Sequence, residues 1–128
     1  MVRERLKQGG SALVQTITIA DELFEQYRKS TDFIQQYVFP GGMLPCPSIF
    51  RHLAGRAGLL VGDEHRFGID YAETLKSWRT RYRKVSDELR LLGFDARFER
   101  LWNFYLVYCE VGFRAASTDV MQVELHRE

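Results

Sequence analysis

Tyr71, in the run Asp70-Tyr71-Ala72-Glu73-Thr74-Leu75, carries a phenol, a group able to do chemistry. A phenol can orient a bound anion or exchange a proton with it. The same tyrosine also opens an apolar stripe along a helix, which is a structural use of the ring. A second candidate is Tyr37-Val38-Phe39-Pro40-Gly41-Gly42-Met43-Leu44. Aromatic side chains on a glycine-shaped turn make a groove for an apolar tail, whose burial gains about 0.8 kcal/mol per methylene. The other reading of this loop is that its aromatics complete the core. His52, His65 and His126 are scattered without paired spacing for a metal, and Cys46 and Cys109 lack metal-type spacing. The two thiols are expected to stay reduced rather than pair.

The elements that must position these residues alternate between two periodicities. Val2 to Gln8 has the pattern of a helix ended by Gly9-Gly10 as a left-handed cap. Ala12 to Ile19 is β-branched and nearly uncharged, as in a buried strand. A short helix is expected over Asp21 to Arg28. Phe33 to Pro45 can be neither one helix nor one strand, because Pro40-Gly41-Gly42 and Pro45 interrupt it. Ser48 to Ala57 reads as a helix closed by Gly58, and Leu59 to Val61 as a short strand. Asp70 and Glu73 have the spacing of a capping box. Tyr71, Leu75, Trp78, Tyr82, Val85, Leu89 and Leu92 then follow at spacings of four and three, the signature of one amphipathic helix. After Gly93-Phe94, Asp95 can cap a second helix, with Phe98, Leu101, Trp102, Tyr105, Leu106, Cys109 and Phe113 on one face. Its aromatics Trp102, Phe104, Tyr105 and Tyr108 read as core. Val120 to Leu125 alternates as a final strand.

Composition narrows the classes. The chain has 128 residues, 45% apolar and 27% charged, with a formal net charge of +1. That is one globular domain's worth of core, with no electrostatic case for nucleic acid. No apolar run approaches the roughly 18 residues of a membrane span, and Met1 to Gln8 is charged rather than leader-like. The cytoplasm is the expected location, with contact at a membrane surface as a further option. Arg79, Arg81, Arg83 and Lys84 form a basic face, read mainly as solvated and alternatively as a headgroup contact.

Three blocks in order, Phe33 to Pro45, Phe67-Gly68-Ile69-Asp70-Tyr71-Ala72-Glu73-Thr74-Leu75-Lys76-Ser77-Trp78, and Gly93 to Leu106, resemble the cyclopropane-fatty-acyl-phospholipid synthase family, which includes the mycolic acid cyclopropane synthases. These are S-adenosylmethionine (SAM)-dependent methyltransferases acting on unsaturated acyl chains. The resemblance runs from about Leu6 to Leu125 and corresponds to the last third or so of a family member. It implies an α/β fold: the C-terminal part of a doubly wound methyltransferase, with a short mixed sheet and a long helical hairpin. The last strand would run antiparallel between two others, leaving three strands with helices around them. Leu6-Lys7-Gln8-Gly9-Gly10 resembles the Leu-Lys-Pro-Gly-Gly turn ahead of the fifth strand.

The resemblance also assigns roles. Tyr71 would be catalytic, helping to hold a bicarbonate ion beside the reacting alkene. Tyr37, Phe39, Gly41, Gly42 and Leu44 would form the wall of an acyl-chain pocket. Gln15 of Gln15-Thr16-Ile17 stands where many members have the histidine of a His-Thr-Ile motif, and it cannot titrate. The implied activity is methyl transfer from SAM to the cis double bond of a phospholipid acyl chain, with ring closure assisted by bicarbonate. No strand is followed by the glycine-rich loop that a SAM site of this class requires. The whole of residues 1–128 is therefore expected to lack the SAM-binding half and to bind no SAM alone. That half would lie upstream or on another chain. The strand Ala12 to Ile19 would then leave an edge open, pointing to a homo-oligomer or to association with a chain carrying the SAM half. The alternative is a non-catalytic module that binds lipid or a partner protein.

Overall fold

The computed structural model describes all 128 residues. Ten elements follow in order: α1 (Val2–Arg5), β1 (Ser11–Ile19), α2 (Phe24–Tyr27) after a single 3₁₀ turn, α3 (Phe33–Tyr37), α4 (Pro47–Arg56), β2 (Leu60–Arg66), α5 (Gly68–Lys84), α6 (Ser86–Leu91), α7 (Ala96–Arg114) and β3 (Thr118–His126). The last strand is the centre of the sheet. The order is β1-β3-β2, and β3 runs antiparallel to both neighbours. The short mixed sheet expected from the sequence is thus three strands paired antiparallel throughout. No helix is long and apolar enough to cross a membrane.

Alternation along β3 divides the core into two layers. Met121, Val123 and Leu125 face α4, where they pack with Ala54 and Leu59. Val120 faces the opposite way and packs with Ala72 and Leu75 of α5 and with Leu106 and Phe113 of α7. The register places Ile17 opposite Val120 and Val14 opposite Val123, so the odd residues of β1 share the face covered by the α5/α7 hairpin. Ile19, Phe24, Tyr27 and Cys46 close the end of the sheet beneath the α2 to α4 segment.

Several local expectations change. The capping box of Asp70 and Glu73 does not form, because α5 starts earlier. Its first residue, Gly68, donates its N–H to Asp119 Oδ1 of β3 at 2.8 Å, so a side chain from the sheet serves the helix start. A Cβ on Gly68 would meet that oxygen at 2.5 Å, and the approach needs glycine. Glu73 turns instead to Arg114, at 2.7 Å. The stripe read as one helix breaks at Val85, whose φ of −109° and ψ of 16° leave the helical region. Ser86-Asp87-Glu88 then starts α6 with residue types that suit a first turn. Leu92, read as the end of the stripe, projects into solvent, as does Leu91 beside it.

At the N-terminus, α1 ends at the extended Leu6, so Gly9 does not cap it. Gly9 has φ +73° in a separate turn and donates its N–H to Arg127 O at 2.7 Å, docking that turn on the end of β3. Arg79, read as part of a solvated face, instead reaches inward to Glu110 at 2.9 Å. Glu110 is buried and also takes Arg114, so one carboxylate joins α5 to α7 through two guanidinium groups.

Candidate functional site: an apolar cleft over the α5/α7 hairpin

The cleft is assembled from three pieces. Its floor is Ile17 and Ile19 of β1, and one wall is α7 from Phe104 to Phe113. The other wall is the segment from Asp32 to Leu44. Asp32 and Gln35 form a reciprocal capping box at the start of α3, with Gln35 N–H donating to Asp32 Oδ1 at 2.8 Å and Asp32 N–H donating to Gln35 Oε1 at 3.0 Å. This Asp-x-x-Gln spacing was visible in the sequence and went unread. Gln35 also donates Nε2–H to Gly42 O at 3.0 Å, fastening the Pro-Gly-Gly turn to the helix before it. Gly41 makes the turn possible at φ +78°, and Gly42 N–H closes it onto Phe39 O at 2.9 Å. Tyr27 receives Leu44 N–H on its hydroxyl at 3.0 Å and anchors the far end.

Aromatic edges hold this wall against α7. Phe33 meets Phe104 at 4.6 Å between ring centroids and Tyr108 at 5.9 Å, and Phe39 meets Tyr105 edge-on at 6.1 Å. The enclosed space is about 620 Å³, and 14 of its 20 lining residues are hydrophobic. That is the size and character of a small-molecule site. Asp32 is the one charged residue in the lining, and one of its oxygens is engaged as the α3 cap. No lysine, arginine or histidine lines the space.

Tyr105, Tyr108 and Cys109 hold their protons across the physiological range. Burial pushes the Tyr105 phenol up to about 12, with the neighbouring Cys109 adding to it and Tyr71 contributing less. Burial likewise pushes the Cys109 thiol up to about 11, partly offset by a hydrogen bond from Tyr105. Tyr108 is raised by burial and then by the Asp32 carboxylate. Thr118 Oγ1 lines the cleft buried and without a hydrogen-bond partner.

The structure brings some of the sequence candidates together and separates others. Phe39, Gly42 and Leu44 line the cleft; Tyr37 and Gly41 do not. Tyr37 follows Phe33 by one helical turn and is exposed, with its ring 5.5 Å from that of Phe33, and Gly41 is the outer apex of the turn. Tyr71 lies one layer behind. Its ring packs edge-on against Phe113, itself part of the cleft wall, at 5.1 Å, and against Trp78 at 6.0 Å. Phe104, Tyr105, Tyr108 and Cys109 line the cleft too, although helical spacing alone placed them in the core. A residue on the margin of an apolar face has the same period whether its neighbour is protein or space. Gln15 accepts a hydrogen bond from Gln122 across the sheet at 2.9 Å and does not line the cleft. The three histidines stay apart, and no group of potential metal ligands forms. Both cysteines are free thiols.

Neither β1 nor β2 opens into a glycine-rich loop. β1 leads into a 3₁₀ turn without glycine. β2 leads through Phe67 to Gly68, where the space left by the missing side chain is taken by Asp119 rather than open to a ligand.

A three-stranded antiparallel sheet with a helical hairpin on one face and a mainly apolar cleft beside it defines an α/β unit built around an apolar site. The chain belongs to the family described as Mycolic acid cyclopropane synthetase, whose profile matches residues 1–123. It is 38% identical over 99% of its length to the tuberculostearic acid methyltransferase UfaA1 of Mycobacterium tuberculosis, and 31% identical over 99% of its length to the cyclopropane-fatty-acyl-phospholipid synthase of Escherichia coli K12. It spans only 30% and 32% of those proteins. Among solved structures, the mycolic acid cyclopropane synthase CmaA1 complexed with SAH and CTAB superposes with a TM-score of 0.79 at 26% identity, over 92% of this chain and 44% of that one. The family is one of SAM-dependent methyltransferases that modify lipids.

Proposed function

We propose that residues 1–128 are the C-terminal segment of a methyltransferase domain of this family and supply its acyl-chain cleft. The complete enzyme would transfer a methyl group from SAM to the cis double bond of a phospholipid acyl chain. The observation that carries this reading is a cleft of about 620 Å³ lined mainly by hydrophobic side chains and by no basic one. A free carboxylate or phosphate would find no cation inside, and the polar side chains deepest in the wall, Tyr105 and Cys109, hold their protons. Such a site favours the uncharged hydrocarbon of a bound lipid, with its headgroup outside. Methyl transfer to an alkene leaves a carbocation that must lose a proton, and in this proposal Tyr71 orients the bicarbonate that accepts it. Tyr71 offers one donor; the remaining ligands of that ion and all of the SAM site would come from outside these residues.

The experiment is a titration of the chain with a long-chain monounsaturated acyl ester, followed by calorimetry. Phe39→Ala removes the ring that closes the wall onto Tyr105 and should weaken binding roughly 10-fold while leaving the circular dichroism spectrum intact. Equal affinities for the two proteins would return Phe39 to the core. SAM itself should give no saturable heat.

A further inference from the structure

The turn between α6 and α7 exposes an apolar surface. Leu91 is 89% exposed and Leu92 74%, the highest values among the large hydrophobic side chains after the terminal Met1, and Phe94 beside them is exposed too. Leu91 and Leu92 are largely uncovered, while Phe94 rests on Phe98. The flanking segments are rich in charge: between residues 81 and 100 lie Arg81, Arg83, Lys84, Arg90, Arg97 and Arg100, against Asp87, Glu88, Asp95 and Glu99. Arg90 is held by Asp87 and Glu99, and Asp95 accepts the Phe98 N–H at the start of α7. Arg81, Lys84, Arg97 and Arg100 are exposed and make no ion pair. Exposed apolar side chains at a helix–helix turn, with exposed, unpaired cations on the helices that flank it, suit an anionic lipid surface.

A second observation links this tip to the cleft. From Phe94, ring contacts continue along α7 through Phe98 at 4.6 Å, Trp102 at 6.1 Å and Tyr105 at 4.9 Å, and from Tyr105 to Phe39 at 6.1 Å. One unbroken aromatic row leads from the exposed tip to the mouth of the apolar space. Steps of four and three residues keep it on one side of the helix.

We propose that Leu91-Leu92-Gly93-Phe94 is a membrane-docking tip for anionic bilayers, and that the aromatic row along α7 is the apolar track between the bilayer and the cleft. The docking claim stands on the exposed tip and its charges. The direction of the track rests on the acyl reading of the cleft.

The test measures partitioning of the 128-residue chain onto phosphatidylcholine vesicles with and without phosphatidylglycerol. The wild type should bind the anionic vesicles preferentially. Leu91→Ser with Leu92→Ser should lower the partition coefficient by about 10-fold or more, and Arg97→Gln with Arg100→Gln should remove most of the preference for phosphatidylglycerol. A polarity-sensitive thiol dye on Leu92→Cys gives a readout free of loss-of-binding variants. At neutral pH it reacts with an exposed thiol ahead of Cys109, which burial holds at about 11, and its emission should shift blue on anionic vesicles. An unshifted dye, wild-type partitioning by the leucine variant, or a tip-dependent dimer in sedimentation without vesicle binding would each overturn docking. Docking that persists while the acyl ester fails to bind would leave the tip in place and remove the track.

Discussion

At the scale of single residues, the account turns on two hydroxyls and a thiol. Tyr71 is one layer behind the cleft wall, packed on Phe113 and Trp78, so its contribution to chemistry should be separable from its contribution to packing. Tyr71→Phe keeps the ring and removes only the oxygen. Combined with a polypeptide carrying the SAM half, that variant should lower turnover on unsaturated phospholipid by roughly 10²-fold with little change in KM or in the urea midpoint. Unchanged turnover would leave the ring as core alone. Cys109 offers a pH test. Its folded-state value of about 11 lies above the ordinary thiol value of 9.0, so the native thiol stays protonated over a window in which an unfolded one ionises. Alkylation of the native protein should accelerate only as pH approaches 11, and stability should fall between about pH 9 and 11 because the unfolded state releases the proton first. Tyr105, raised from 10.0 to about 12, extends the same loss upward. A native alkylation profile centred near 9 would show that the thiol is solvated.

Among the elements, legibility in the sequence followed locality. β1 and β3 were readable because β-branched and alternating residues report burial directly, and β3 indeed lies between β1 and β2. β2 was read only as Leu59 to Val61, because Gly62 to Arg66, which complete it, are polar and mostly exposed. Helix ends were read poorly wherever a distant residue decided them. Asp70 and Glu73 had the right spacing for a cap, but Asp119, 51 positions from Gly68, serves the start of α5, and no local pattern announces that. The break at Val85 separates two helices that share one continuous stripe, since periodicity carries no mark of where the partner surface stops. β1 presents its own consequence. It pairs only with β3, and Pro45 O takes the Ile19 N–H at one end of its other side. The rest of that side holds Leu13, exposed, and no lysine or proline to block pairing. The chain should therefore self-associate or take up a complementary strand, giving concentration-dependent sedimentation that Leu13→Lys reduces. A concentration-independent monomer would set the edge argument aside.

For the whole molecule, the cleft is a product of assembly rather than of any one segment. Phe39, Gly42 and Leu44 could be singled out from the sequence because a Pro-Gly-Gly turn beside aromatics is locally unusual. Ile17, Tyr105 and Cys109 could not, because their place at the cleft depends on how far the Asp32 to Leu44 wall stands off α7, which the capping box of α3 and the Gln35 to Gly42 hydrogen bond set. On the opposite face of the sheet, Phe50, Leu53 and Val14 border a second apolar recess of about 480 Å³ beneath α1, which gives the acyl reading a built-in competitor. A photoactivatable, diazirine-bearing monounsaturated acyl ester, cross-linked to the chain and mapped by mass spectrometry, separates the two most directly. The account predicts adducts on Phe39 to Leu44 and on Tyr105 to Val111, reduced by excess unlabelled ester. Adducts concentrated on Phe50 to Ala57, or spread without competition, would contradict it.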